Sequence, residues 1–116
     1  MASIQRFHVG KRLSDMVVHG DTIYLAGQIA DDATLPAKGQ TQEVLAMIDR
    51  LLGEAGSDKT KILTAQIFLA DMADFGAMNE AWDAWVPAGH PPARATVEAR
   101  MFDPAYKVEI VVVAAR

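Results

Sequence analysis

The sequence predicts an α+β layer fold, a mixed sheet with two helices covering one of its faces. Two observations carry that prediction. Short β-branched and aromatic runs occur near both ends of the chain and once in its middle, and between them two segments switch to helical spacing. Their order is strand-strand-helix-strand-helix-strand-strand, and a short extra strand near Ile4 to Val9 precedes it.

The elements follow in turn. Met16-Val17-Val18-His19 is an apolar run closed by Gly20-Asp21, and Thr22 to Ile29 resumes strand character, so the two read as strands joined by a glycine-containing turn. Asp31 to Ala37 is polar and carries Pro36, a loop composition. From about Lys38 to Ala55 the period changes. Val44, Met47, Ile48, Leu51, Leu52 and Ala55 share one helical face, and Gly56 supplies the positive φ that ends a helix. Ile62 to Leu69 returns to strand character. Asp71 or Asp74 caps a second helix whose apolar stripe is Phe75, Met78, Trp82 and Trp85, and Pro87, Gly89, Pro91 and Pro92 end it. The last strands are Arg94 to about Met101 and Lys107 to Ala114.

Length and composition narrow the classes of function. A chain of 116 residues is one domain, residues 1–116, and 51% hydrophobic against 22% charged residues is a globular balance. The net charge, 11 − 15 = −4, argues against an electrostatic grip on nucleic acid. The absence of cysteine excludes disulfides, thiolate nucleophiles and cysteine–zinc sites. No apolar stretch approaches the roughly 18 residues of a membrane span, and Met1 to His8 lack the apolar core of a secretion signal, so a cytoplasmic location is expected. A domain of this size buries about 60–70% of its unfolded surface, yet half its residues are apolar. The uncovered sheet face is therefore expected to meet another subunit.

Most chemical motifs are missing. No phosphate-binding glycine loop or nucleophile elbow occurs, and His8, His19 and His90 lack metal-ligand spacing, so no metal site is expected. Trp82 and Trp85 read as helix-to-sheet core, and the six methionines as gap fillers. Asn79 lies just off the apolar stripe, where it caps the helix or hydrogen-bonds across a subunit boundary. The unusual residue is Glu109, the only acid within the apolar run Val108 to Ala115. A carboxylate there requires a compensating cation or hydrogen bonds. The expected compensator is Arg94 on a neighbouring strand, where a period of two puts Arg94, Thr96 and Glu98 on one face. The pair reads either as a small-acid pocket or as a structural ion pair, with Glu109 at a sheet margin as the other bland reading.

Five segments then carry a family resemblance. They are Ala26-Gly27-Gln28-Ile29, Ile67 to Phe75, Met78-Asn79-Glu80-Ala81-Trp82, Pro92 to Glu98 and Lys107-Val108-Glu109-Ile110. In order and spacing they resemble the Rid (YjgF/YER057c/UK114) proteins, most closely their short YoaB-like, RutC-related branch, from about Leu13 to Arg116. The resemblance implies a chorismate-mutase-like fold assembled as a homotrimer, with sheets inward, helices outward and pockets between subunits. It implies hydrolysis of reactive 2-imino acids to 2-keto acids and ammonia, with no cofactor. By the same resemblance Arg94 binds the substrate carboxylate and Glu109 positions or activates water. Thr96 holds the imino nitrogen through its backbone, the Gly27 backbone faces the ligand, and Asn79 frames the interface. Leu13 stands where deaminating members place a tyrosine, and Ala26 where they place a serine, so this pocket is less polar. The rival readings are a module that binds a small keto or imino acid without turnover, and a protein-interaction role for which no residue speaks.

Overall fold

The first three strands form an antiparallel meander. The computed structural model describes residues 2–116 and runs β1 (Ile4–Val9), β2 (Ser14–His19), β3 (Thr22–Leu25), α1 (Ala37–Glu54), β4 (Ile62–Leu69), α2 (Phe75–Trp85), β5 (Ala93–Glu98) and β6 (Val108–Ala115), with single 3₁₀ turns before β4 and α2. The six strands make one sheet in the order β1-β2-β3-β6-β4-β5. Only β4 and β5 pair in parallel; every other neighbouring pair is antiparallel. The expected short first strand is present at Ile4–Val9. No helix among the described residues is long and apolar enough to cross a membrane.

Strand alternation sorts the sheet into two faces. Met16, Val18, Ile23, Leu25, Ala65, Ile67, Leu69, Val108, Ile110, Val112 and Ala114 point to the helices and are buried. The α1 residues Val44, Leu45, Ile48, Leu51 and Leu52 close over them, and α2 packs beside α1 with Met78, Ala81 and Trp82 buried. This is the helix-covered core that the 3.6 and 2.0 periods anticipate. The opposite face carries Val17, Tyr24, Phe68, Val97, Val111 and Val113, interrupted by Gln66 and Glu109. It is apolar at its centre, though less uniformly than expected.

Several boundaries differ from the sequence reading. β3 stops at Leu25, not Ile29: the Ala26 N–H still bonds the Asp15 carbonyl in the β2–β3 register, and beyond it pairing among the described residues resumes as a single bridge between Gln28 and Ile110. The fifth strand ends at Glu98, not Met101. Its carboxylate accepts the Met72 N–H, and the Ala99 N–H makes a last bond to the Leu69 carbonyl before the chain leaves the sheet. Asp71 caps the 3₁₀ turn through the Ala73 N–H, whereas Asp74 stands at the start of α2 without a side-chain cap. Phe75 is 41% exposed and falls outside the buried stripe. Trp85 packs at the edge of the core, 5.3 Å from Trp82, and its indole N–H donates to Asp49 at 2.9 Å. Gly20 and Gly56 take the left-handed backbone that their turns require, at φ 62° and 77°.

Two polar contacts tie the periphery down. Gln40 is fully buried at the start of α1. Its amide nitrogen donates to the Leu35 and Ala105 carbonyls, each at 3.0 Å, and its oxygen accepts the Lys107 N–H at 2.9 Å. At the sheet's other end, His8 Nε2–H donates to Glu54 at 2.7 Å, joining β1 to the end of α1. The hydrogen bond and the charge of Glu54 hold the His8 imidazole above its ordinary pKa.

Candidate functional site

The site residues fall into two groups, on opposite faces of the sheet. The first group gathers around Arg94. In the β4–β5 register Arg94 pairs with Ala65 and Thr96 with Ile67, both helix-facing positions, so both β5 side chains point towards α2. There the Arg94 guanidinium donates to Asn79 Oδ1 at 2.8 Å and lies 5.2 Å from the Trp82 ring. Helical spacing brings Asn79 and Trp82 together, three residues apart on α2. The hydrogen bond and the ring hold the guanidinium plane, which is worth more for a planar fork than for a point charge. Arg94 makes no ion pair among the described residues. It also borders a cavity of about 420 Å³ at the outer edge of the sheet, whose other lining residues include Thr64, Gln66 and Ala95 of the open face. Thr96 Oγ1, on the same face as Arg94, is buried without a hydrogen-bond partner among the described residues.

The second group gathers around Glu109. Glu109 pairs with Phe68, on the open face. Its carboxyl group lies directly over Gly27: a Cβ built there would stand 1.9 Å from Glu109 Oε2 and 2.8 Å from Cδ. Only glycine leaves that room, and β3 breaks off just before it. Glu109 also lines a cavity of about 250 Å³ with Phe68, Ala99, Arg100, Met101 and Phe102. Leu13, 60% exposed, sits two residues before Asp15, whose carbonyl holds Ala26, and so belongs to this end of the sheet.

The expected pairing of Arg94 with Glu109 on neighbouring strands is therefore corrected. β4 lies between β5 and β6. Arg94 stands level with Ala65 and Glu109 level with Phe68, an odd offset that puts them on opposite faces. Two strand spacings and three residue rises separate them by about 10 Å in each direction. No ion pair joins them among the described residues, and neither cavity described above is lined by both. Asn79, Arg94 and Thr96 form one cluster; Gly27 and Glu109 form the other, with Leu13 and Ala26 at its border.

Sequence reasoning missed Arg100, Met101 and Phe102, which it placed in or beside a strand. Asp103 and Pro104, two turn-forming residues in succession, are the signal that the chain has already left the sheet.

Comparison with known proteins agrees with this geometry. The family described as Endoribonuclease L-PSP matches residues 3–116. The RutC family protein YoaB of Escherichia coli is 50% identical over 113 residues, 97% of this chain and 98% of the relative. A crystal structure of a YjgF family member from Neisseria meningitidis superposes with a TM-score of 0.96 at 46% identity, covering 98% of this chain and 95% of the other. The 2-iminobutanoate/2-iminopropanoate deaminase of Rattus norvegicus is 31% identical over 110 residues, 87% of this chain and 77% of the relative. With the mixed six-stranded sheet, the two helices on one face and a profile match over nearly every residue, the chain belongs to the Endoribonuclease L-PSP family, the YjgF/Rid proteins.

Proposed function

We propose that the protein hydrolyses small 2-imino acids to 2-keto acids and ammonia, in sites completed between copies of the chain. The observation that carries this reading is Arg94, a half-buried guanidinium oriented by Asn79 and Trp82 and without an ion-pair partner among the described residues. Such a group is prepared for a ligand carboxylate, which it grips with two parallel hydrogen bonds. Kinship with the rat imine deaminase supports the substrate class. The net charge of −4 speaks against nucleic acid as the substrate that the family's description would suggest.

Arg94 and Glu109 lie on opposite faces, so they serve one substrate only if Arg94 of one copy faces Glu109 and Gly27 of another. The apolar centre of the open face gives the copies a surface to share, and we take the assembly to be a homotrimer. In that arrangement Arg94 fixes the carboxylate and so the imine carbon. Glu109 takes a proton from water as its oxygen bonds to that carbon, and the C=N electron pair moves to nitrogen. Backbone groups near Thr96 and Gly27 hold the nitrogen as its charge changes. Glu109 returns that proton to nitrogen, giving a carbinolamine. It then takes the hydroxyl proton and passes it to the same nitrogen, so that the C–N bond breaks, ammonia leaves with the electron pair and the C=O bond closes. The residues require no cofactor for these steps.

Binding without turnover is the second reading. The separation of Arg94 from Glu109 within one chain favours it, because the Arg94 cluster alone suffices to hold a keto acid. One experiment separates the two. 2-Iminobutanoate is generated in situ, the remaining imine is trapped, and keto-acid binding is measured beside turnover. Deamination predicts that Glu109→Gln keeps keto-acid affinity but loses about 10²–10⁴-fold in rate, whereas Arg94→Ala loses both in a folded protein. Decay no faster with wild type than without protein, together with clear Arg94-dependent binding, would establish the binding module instead.

A further inference from the structure

We propose that Arg100 sets the substrate class of the Glu109 cavity, selecting 2-imino acids whose side chain itself ends in a carboxylate. The proposal rests on the imine-hydrolysis reading of that cavity and narrows it. Arg100 lines the cavity of about 250 Å³ that holds Glu109, and also an adjoining cavity of about 380 Å³ bounded by Ala70 and Pro104. Arg100, Met101 and Phe102 form the wall common to both. Glu109 lines only the first of the two cavities. In the wall they share Arg100 and Phe102 are solvent-exposed, and the cleft has more room than a two- or three-carbon side chain fills.

The charge in that wall is uncommitted. Arg100 makes no ion pair among the described residues. The acids closest in sequence are turned to other tasks: Glu98 accepts the Met72 N–H at 2.9 Å, and Asp103 accepts the Ala105 N–H at 2.8 Å. Glu109 is the one carboxylate that lines the inner cavity with Arg100, yet the two are not within ion-pair distance. The segment is also held in place, because Ala99 bonds to Leu69, Phe102 packs 5.1 Å from Tyr106, and buried Gln40 fastens Ala105 and Lys107.

A substrate carboxylate on Arg94 of one copy, with its imine carbon at Glu109 of the next, directs its side chain into this cleft. Met101 and Phe102 cover the methylenes there, and Arg100 meets an anionic end. The residues choose a dicarboxylic chain over an aliphatic one because a guanidinium fork matches a carboxylate in shape and charge.

The test compares 2-iminoglutarate with 2-iminobutanoate, each generated in situ by an amino-acid oxidase, for wild type, Arg100→Ala and Arg100→Lys. Binding of 2-oxoglutarate and 2-oxobutanoate is measured in parallel by calorimetry. Arg100→Ala should lower kcat/KM for 2-iminoglutarate about 10–100-fold, the value of one charged hydrogen-bonded contact, and leave 2-iminobutanoate within about twofold. Lysine should restore part of the loss. Equal losses on both substrates with a shifted pH profile would show that Arg100 acts on Glu109, and would overturn the proposal. Unchanged selectivity would overturn it too, while leaving imine hydrolysis intact. Arg100-dependent binding of 2-oxoglutarate without turnover of either imine would keep the assignment of Arg100 and remove the hydrolysis reading. Neither binding nor turnover would remove both.

Discussion

At the scale of single residues, the tightest fit in the candidate site is that of Glu109 over Gly27, where a Cβ would find no room. The glycine is needed for what lies over it and not for its backbone angles, since its φ is not in the left-handed region. A methyl group there collides with the far end of a flexible side chain, so the chain can relieve the clash by swinging the carboxylate aside. Gly27→Ala should therefore leave stability within about 1 kcal/mol of wild type while lowering turnover by a factor approaching that of Glu109→Gln. Thermal unfolding and the imine assay, run on the same preparations, check both halves. A large fall in melting temperature with normal turnover would mean that the glycine serves the fold. Glu109 itself was legible from sequence, because a lone acid in an apolar strand violates the usual cost of burial. Gly27 drew notice only through resemblance, because the pressure on it comes from a residue 82 positions away (109 − 27).

At the scale of elements, the sequence pattern located the helices and the six strands, and residue alternation placed Arg94, Thr96 and Glu98 on one face. It could not say which strand neighbours which. β6, last in sequence, inserts between β3 and β4, and that order is a property of the whole sheet that no local pattern carries. Hence the mistaken adjacency of Arg94 and Glu109. The loop before β6 was equally illegible. It is positioned by Gln40, an amide that looks like a surface residue in its sequence window and is fully buried in the fold. Gln40→Leu should leave the Lys107 N–H and the Ala105 carbonyl without their partner, at about 1–3 kcal/mol for each buried group so stranded. Denaturant unfolding measures that cost. Amide exchange should also show faster opening from Ala105 to Lys107 than in wild type, and uniform exchange would mean that the loop stands without the amide.

At the scale of the whole molecule, the open face and the divided site lead to one expectation. A homotrimer should persist in dilute solution, and sedimentation showing a stable monomer at micromolar concentration would remove the shared pocket with the assembly. The division has a genetic consequence as well. If every working site takes Arg94 from one chain and Glu109 from its neighbour, then two inactive alleles, Arg94→Ala and Glu109→Gln, each still supply what the other has lost. Co-expressed in equal amounts, they should recover about a quarter of wild-type activity, the product of two halves, since a boundary works only when each side happens to bring its intact residue. Mixed without exchange of chains, the same two proteins should stay silent. Intragenic complementation of this kind is unavailable to any enzyme whose chemistry is complete within one polypeptide.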